Sequence, residues 1–139
     1  MLKISRLADY AMMVMSILAS RQVERFSATE IASLTPLSTA TTSKVLKLLH
    51  ESKLVNSERG VNGGYQLARA PELISIAEII AAIDGRLAMT ECSRSKNRCE
   101  HGAICNLRDN WQFINMKLFE VLDSLSLANM RKPLSKFED

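Results

Sequence analysis

Aromatic residues make up only 5% of this 139-residue sequence, no apolar run is long, and cysteine occurs just three times. With so few rings, the core must be built from Leu, Ile, Ala and the 7 Met, a composition that favours helices. No stretch approaches the roughly eighteen apolar residues that a membrane span requires, so no membrane partner is expected. The apolar run Ala11 to Ala19 follows Lys3 and Arg6, as in a secretory leader. Against that reading, Asp9 stands just before the run, and residues 27–49 continue as amphipathic structure that needs the first helix for packing. A cytoplasmic protein is expected, with its three cysteines as reduced thiols or metal ligands and not disulfides. Neither His50 nor His101 comes with a recognisable base and orienter, and no Gly-rich cofactor loop follows a strand. Catalysis by a cysteine is therefore the weakest reading, and no small-molecule substrate is expected.

The net charge of +3 names no partner, but its distribution does more. Residues 1–70 carry nine Lys and Arg against five acids, whereas residues 71–139 carry nine against ten. A basic first half suits a surface that meets phosphates. The length fits one compact unit plus an extension.

Apolar residues Leu7, Ala8, Ala11, Val14, Met15 and Leu18 recur at helical spacing, predicting a helix over about Ser5 to Ser20. Ser27 and Glu30 form a capping box that opens a short second helix ending near Pro36. Ser38 can cap a third, with Thr41, Val45, Leu48, Leu49 and Ser52 on one face. Thr39, Ala40, Ser43, Lys44 and Lys47 share the other face, which is small, polar and basic. Two helices joined by a turn of about four residues, the second with such a face, make a helix-turn-helix pattern. A hairpin is predicted next, with strands Leu54 to Arg59 and Tyr65 to Arg69 around Gly60-Val61-Asn62-Gly63-Gly64, where Asn-Gly and Gly-Gly supply the positive φ that such turns need. That order is a winged helix. Double-stranded DNA is then the expected partner, with Thr39, Ala40, Ser43, Lys44 and Lys47 at base edges and phosphates, and Arg59 and Asn62 carried by the wing.

Ser75 and Glu78 form a second capping box, opening a helix to about Asp84-Gly85. Residues 86–108 lose all periodicity and contain every cysteine of the chain, and a loop of that length is usually functional or disordered. From Asp109 to Leu125 periodicity returns, with Trp111, Ile114, Leu118, Val121 and Leu125 in a seam like that of a coiled coil. Phe113, Met116, Phe119 and Leu122 cover further sides, more than one globular domain can bury, so a dimerisation helix is expected. Ser126 can cap a short final helix. The expected fold is mainly α with a small β-hairpin: a winged helix-turn-helix domain over 1–84, a cysteine loop over 85–108, a long C-terminal dimerisation helix and short last helix over 109–132, and a tail from 133. A symmetric dimer presents two recognition helices to a two-fold related operator.

Cys92, Cys99 and Cys105 lie within one irregular window, as three thiolates converging on a metal or cluster would. Paired C-x2-C knuckles of structural zinc are absent, yet spacing alone does not choose between zinc and an iron-sulfur cluster.

The opening Leu2-Lys3-Ile4-Ser5-Arg6-Leu7-Ala8-Asp9-Tyr10-Ala11, the wing Arg59-Gly60-Val61-Asn62-Gly63-Gly64-Tyr65-Gln66-Leu67, the helix Ile76-Ala77-Glu78-Ile79-Ile80 and the three cysteines together resemble the cluster-sensing Rrf-two family of bacterial regulators over nearly the whole chain. The resemblance implies an iron-sulfur cluster, with a 2Fe-2S form favoured and 4Fe-4S open, on Cys92, Cys99 and Cys105. IscR-like members carry a histidine three residues after the last cysteine, where this chain has Arg108, which cannot ligate as a cation. NsrR-like members can use an aspartate from the partner subunit's first helix, and Asp9 matches that position. Asp9 is thus the first choice for fourth ligand, with a carboxylate stabilised by the helix dipole as the ordinary alternative. His101 is the second choice. Thr90-Glu91-Cys92-Ser93 and Asn110-Trp111 resemble the branch that regulates SUF cluster-assembly genes. A repressor sensing nitric oxide or redox state, and a zinc-stabilised DNA-binding protein with no sensing role, are the alternatives.

Overall fold

In a computed structural model, described for residues 3–94 and 105–132, Ser5 starts α1 (Arg6–Ser20) by accepting the Ala8 amide at 3.0 Å. Ala8, Ala11, Val14, Met15, Leu18 and Ala19 form its buried stripe. The Ser27–Glu30 capping box opens α2 (Ala28–Ser33), with Ser27 N donating to Glu30 Oε2 at 2.6 Å and Glu30 N to Ser27 Oγ at 3.1 Å. Ser38 caps α3 (Thr39–Glu51).

Thr42, Val45, Leu46 and Leu49 are the buried residues of α3, a stripe rotated from the expected Thr41, Leu48 and Ser52. Spacing of three and four around Val45 is met by either set, and packing against α1 and α2 selects between them. Thr41 instead serves the helix start, its amide and hydroxyl both bonded to Ser38 Oγ, at 3.1 and 3.0 Å. Thr42 is wholly buried and its hydroxyl finds no partner among the described residues.

Strands β1 (Val55–Glu58) and β2 (Gly64–Leu67) pair antiparallel, Val55 opposite Leu67 and Glu58 opposite Gly64. Both are shorter than expected, because Arg59 belongs to the connection and Arg69 turns away beyond the ladder. Phe26 adds a third line of pairing: its amide donates to Tyr65 O at 3.0 Å, and Tyr65 N returns a bond to Phe26 O at 2.7 Å. After a 3-10 turn at Pro71–Leu73 comes α4 (Ile76–Asp84), capped by Ser75 and Glu78 and packed on α1 and α3.

Gly85 (φ +78°) ends α4. The stretch expected to be wholly irregular contains a single helical turn, α5 (Glu91–Arg94), too short for four residues to show a period. The long helix α6 (Arg108–Ser124) has no buried residue. Past it the chain comes home. Ser126 and Asn129 form a capping box for α7 (Leu127–Met130), Leu127 is fully buried in the winged-helix core, and Ser126 pairs with Ser75. The short last helix, grouped above with the dimerisation helix, therefore contributes to the core of the DNA-binding unit.

Two substitutions test this packing by opposite shifts in the urea midpoint. Thr42→Val removes an unsatisfied buried hydroxyl at nearly constant volume and is expected to stabilise by about 1 kcal/mol. Leu127→Ala is expected to cost about 2–5 kcal/mol, and a cost near zero would show that α7 does not belong to the core.

Candidate nucleic-acid interface and cysteine loop

Thr39, Ala40, Ser43, Lys44 and Lys47 all stand exposed on the outer side of α3. Burying Val45, Leu46 and Leu49 against α1 and α2 forces that result, since the opposite side of a one-layer helix must face water. Among the described residues neither lysine has an ion-pair partner. Arg25 behaves differently: its guanidinium meets Glu58 at 2.7 Å, so part of the positive charge of the first half is neutralised at the turn end of β1. Sequence reasoning missed that pair, because it joins residues 33 positions apart.

Arg59 and Asn62 are exposed in the connection between β1 and β2. Of the two expected pairs, Gly-Gly supplies a positive φ, at Gly64, and Asn-Gly does not. Positive φ falls on Gly60 (+109°) and Gly64 (+131°), not on Asn62 or Gly63. Gly63 is needed for space: a Cβ there would lie 2.4 Å from Glu58 O, and one on Gly64 would lie 2.7 Å from Phe26 O. Gly64 lets the wing approach the loop before α2 closely enough for Phe26 and Tyr65 to pair, which sets the wing beside α3.

Cys92 is buried in α5, its Sγ 3.0 Å from Thr90 Oγ1, and Thr90 Oγ1 also meets Ser93 Oγ at 2.8 Å. Cys92 lines a cavity of about 470 Å³ with Arg86, Arg94, Gln112, Met116 and Phe119. Half-buried Cys105 stands on the other side of the segment, three residues before α6. Both are free thiols. Cys99 and His101 lie outside the described residues. Thiolates are soft donors suited to zinc or iron-sulfur clusters, so the described part of the donor set fits either group. Among the described residues no three Cys, His, Asp or Glu side chains gather into a metal centre.

Asp9 is exposed in the first turn of α1, in a hollow with Lys3, Ile4, Arg6 and Met12 that is separate from the Cys92 cavity. Within one chain the structure does not bring Asp9 and Cys92 to a shared hollow. Arg108 is half-buried as the first residue of α6.

Two amides that sequence reasoning passed over organise the loop. Asn115 Oδ1 accepts the Met89 amide and Asn115 Nδ2 donates to Leu87 O, both at 3.0 Å. Gln112 Nε2 donates to Cys92 O at 3.2 Å. Together they make the inner stripe of α6 Gln112, Asn115, Leu118 and Leu122, all half-buried. Of the expected seam, Trp111, Ile114 and Val121 remain exposed at 37%, 44% and 58%. The available signal was two amides three apart, in register with Leu118.

A family profile described as "Rrf2: Iron-dependent Transcriptional regulator" matches residues 4–133. The helix-turn-helix-type regulator NsrR of Bacillus licheniformis is 30% identical over 131 residues, 93% of this chain and 92% of that protein. Other curated regulators match over 82 residues, and this chain spans about half their length. Among solved structures, CymR, the global cysteine regulator of B. subtilis, superposes with a TM-score of 0.73 at 30% identity, covering 94% of this chain and 97% of that one. T. potens IscR superposes with a TM-score of 0.71 at 27% identity, covering 99% and 94%.

Asn115→Ala removes both bonds that hold residues 87 and 89 to α6. Trypsin should then cut after Arg86 and Arg94 markedly faster, while cleavage after Lys44 and Lys47 keeps its wild-type rate. The accompanying stability loss should be about 1–3 kcal/mol, and an unchanged digestion pattern would remove the anchoring role.

Proposed function

The chain belongs to the Rrf2 family of iron-dependent transcriptional regulators, and from that premise we propose that it binds double-stranded DNA as a homodimer under the control of an iron-sulfur cluster. The observation that carries the DNA reading is the exposed face of α3, where Lys44 and Lys47 have no ion-pair partner among the described residues and stand beside a wing bearing Arg59. Lysine without a carboxylate partner is free to replace counterions on phosphate. Ser43, Thr39 and the methyl of Ala40 are short enough to let the helix approach base edges, where Lys44 can donate to guanine. Asn62 and Arg59 then follow the backbone or the minor groove.

A homodimer accounts for the outer side of α6. Trp111, Phe113, Ile114 and Val121 are apolar residues of α6 left exposed among the described residues, and a second copy of α6 would bury them. Two copies related by a two-fold axis present their α3 helices to a two-fold related operator.

Cys92, Cys99 and Cys105 would hold the cluster, 2Fe-2S by preference. Such a cluster supplies a centre that oxidant, nitric oxide or iron shortage can damage or remove. Arg86 and Arg94 line the Cys92 cavity and would offset the negative charge of thiolate ligands. The exposed carboxylate of Asp9, away from the Cys92 cavity of its own chain, favours ligation across the dimer over ligation within it; His101 is the other choice. Thr90-Glu91-Cys92-Ser93 points to SUF cluster-assembly genes as targets. The structural likeness to a cysteine regulator supports a second reading, in which the sensed signal is not a cluster.

Protein purified without oxygen should contain iron and absorb in the visible, and chelation should change its affinity for its operator at one salt concentration. Colourless, zinc-loaded or metal-free protein would exclude the cluster, and equal holo and apo affinity would exclude the sensing role. Lys47→Ala should weaken binding to every DNA sequence alike and flatten the salt dependence by about one unit of slope, whereas a sequence-selective loss would make Lys47 a base reader.

A further inference from the structure

Three capping boxes occur among the described residues, and one of them is built differently. Ser27 with Glu30, and Ser126 with Asn129, bond within themselves. In the Ser75–Glu78 box both partners also reach outward. Ser75 N donates to Glu78 Oε2 at 2.9 Å and Glu78 N to Ser75 Oγ at 3.1 Å, which completes the cap. Ser75 Oγ then donates its proton to Asp123 Oδ1 on α6 at 2.8 Å. On the other side, Glu78 Oε1 accepts from Arg69 Nη2 at 2.7 Å, and Arg69 Nη1 donates to Leu73 O at 3.2 Å. Arg69 lies two residues beyond β2 of the wing.

The backbone reinforces the same point. Ile76 N donates to Leu125 O at 2.9 Å and Leu127 N to Ile74 O at 2.8 Å, clamping the end of α6 to the start of α4. The other end of α6 holds the cysteine loop through Gln112 and Asn115. Eleven residues of helix separate Gln112 from Asp123, roughly 16 Å along the axis. Between these points α6 packs on α4, Phe119 and Leu122 lining one hollow with Ala77 and Ile80, so the helix is joined to the winged unit by that packing as well as at its end.

We infer that Asp123, Ser75, Glu78 and Arg69 form a junction that makes the placement of the wing depend on the placement of α6. Asp123 is a positioning residue: among the described residues its side chain bonds to Ser75 and to no residue of the DNA face or the cysteine loop, and it acts by fixing the hydroxyl of Ser75. A rotation of α6 about its clamped end draws on that hydroxyl, the cap shifts the Glu78 carboxylate, and the carboxylate carries Arg69 and the strand before it. Partial burial works to raise the Glu78 pKa, but the Ser75 amide and the Arg69 guanidinium outweigh it and hold the carboxyl below its ordinary range, so it stays ionised and paired. The inference rests on the reading above only for the signal that would move α6.

Hydrogen exchange of the full chain without DNA tests it. In Asp123→Ala, amides of Val55–Glu58 and Gly64–Leu67 should exchange about threefold faster or more, although the substitution lies outside the wing. Arg69→Ala should do the same, and the double variant should exceed the larger single effect only slightly, because both cut one chain of bonds. Asp123→Asn, whose amide oxygen can still accept from Ser75, should restore wild-type exchange. Wild-type wing exchange in Asp123→Ala, or fully additive effects, would overturn the junction. If wing exchange responds as stated but chelation leaves operator affinity unchanged, the cluster reading fails and the junction stands.

Discussion

Where the chain returns to Ser75 after its excursion through α5 and α6, two backbone bonds and one buried leucine fasten the end of α6 and the start of α7 to the winged-helix core. Ile76 pairs with Leu125 and Leu127 with Ile74, and Leu127 is fully enclosed. The amides and carbonyls satisfied there would otherwise be orphans of helix termini in a partly buried setting, which makes their pairing costly to break. This closure holds α6 against the winged unit, and α6 holds the cysteine loop.

The inner stripe of α6 mixes amides with leucines. It begins with Gln112 and Asn115, which use their amides to bind the loop backbone, while the outer side of the helix is aromatic and aliphatic. Amides suit the inner position because the loop they hold has no regular ladder to satisfy its own carbonyls and N–H groups. Apolar side chains facing water in that number are the pattern of a surface meant for another chain. One helix thus carries both the contacts to Leu87, Met89 and Cys92 and the exposed apolar residues.

The DNA side depends on close approach. Phe26 can pair with Tyr65 only because Gly64 lacks a Cβ, and the Arg25–Glu58 pair closes the same gap from the side. The wing is thus sewn to the loop ahead of α2 and not merely joined to α3 by chain, which limits the angle between the two elements that would meet DNA.

Much of this was legible in the residues alone. The helix starts at Ser5, Ser27, Ser38, Ser75 and Ser126 are local events, decided by a hydroxyl and an amide three residues away, so the sequence specifies them directly. The exposed face of α3 followed from its polar composition. What sequence reasoning could not settle were choices between equally periodic stripes and contacts between distant segments. Thr42 displaced Thr41 because packing on α1 and α2, and not spacing, selects the buried side. Gly60 and Gly64 adopted positive φ and Asn62 did not, and at Gly64 the close approach to Phe26, 38 positions earlier, leaves no room for a Cβ. By itself the sequence determined the main helices, the hairpin and their caps, since these depend on neighbours within a turn or two. Tertiary structure alone decided that α7 joins the core, that Gln112 and Asn115 hold the cysteine loop, and that Ser75 links α6 to the wing, since each requires burial and hydrogen bonding between segments that only the folded chain brings together.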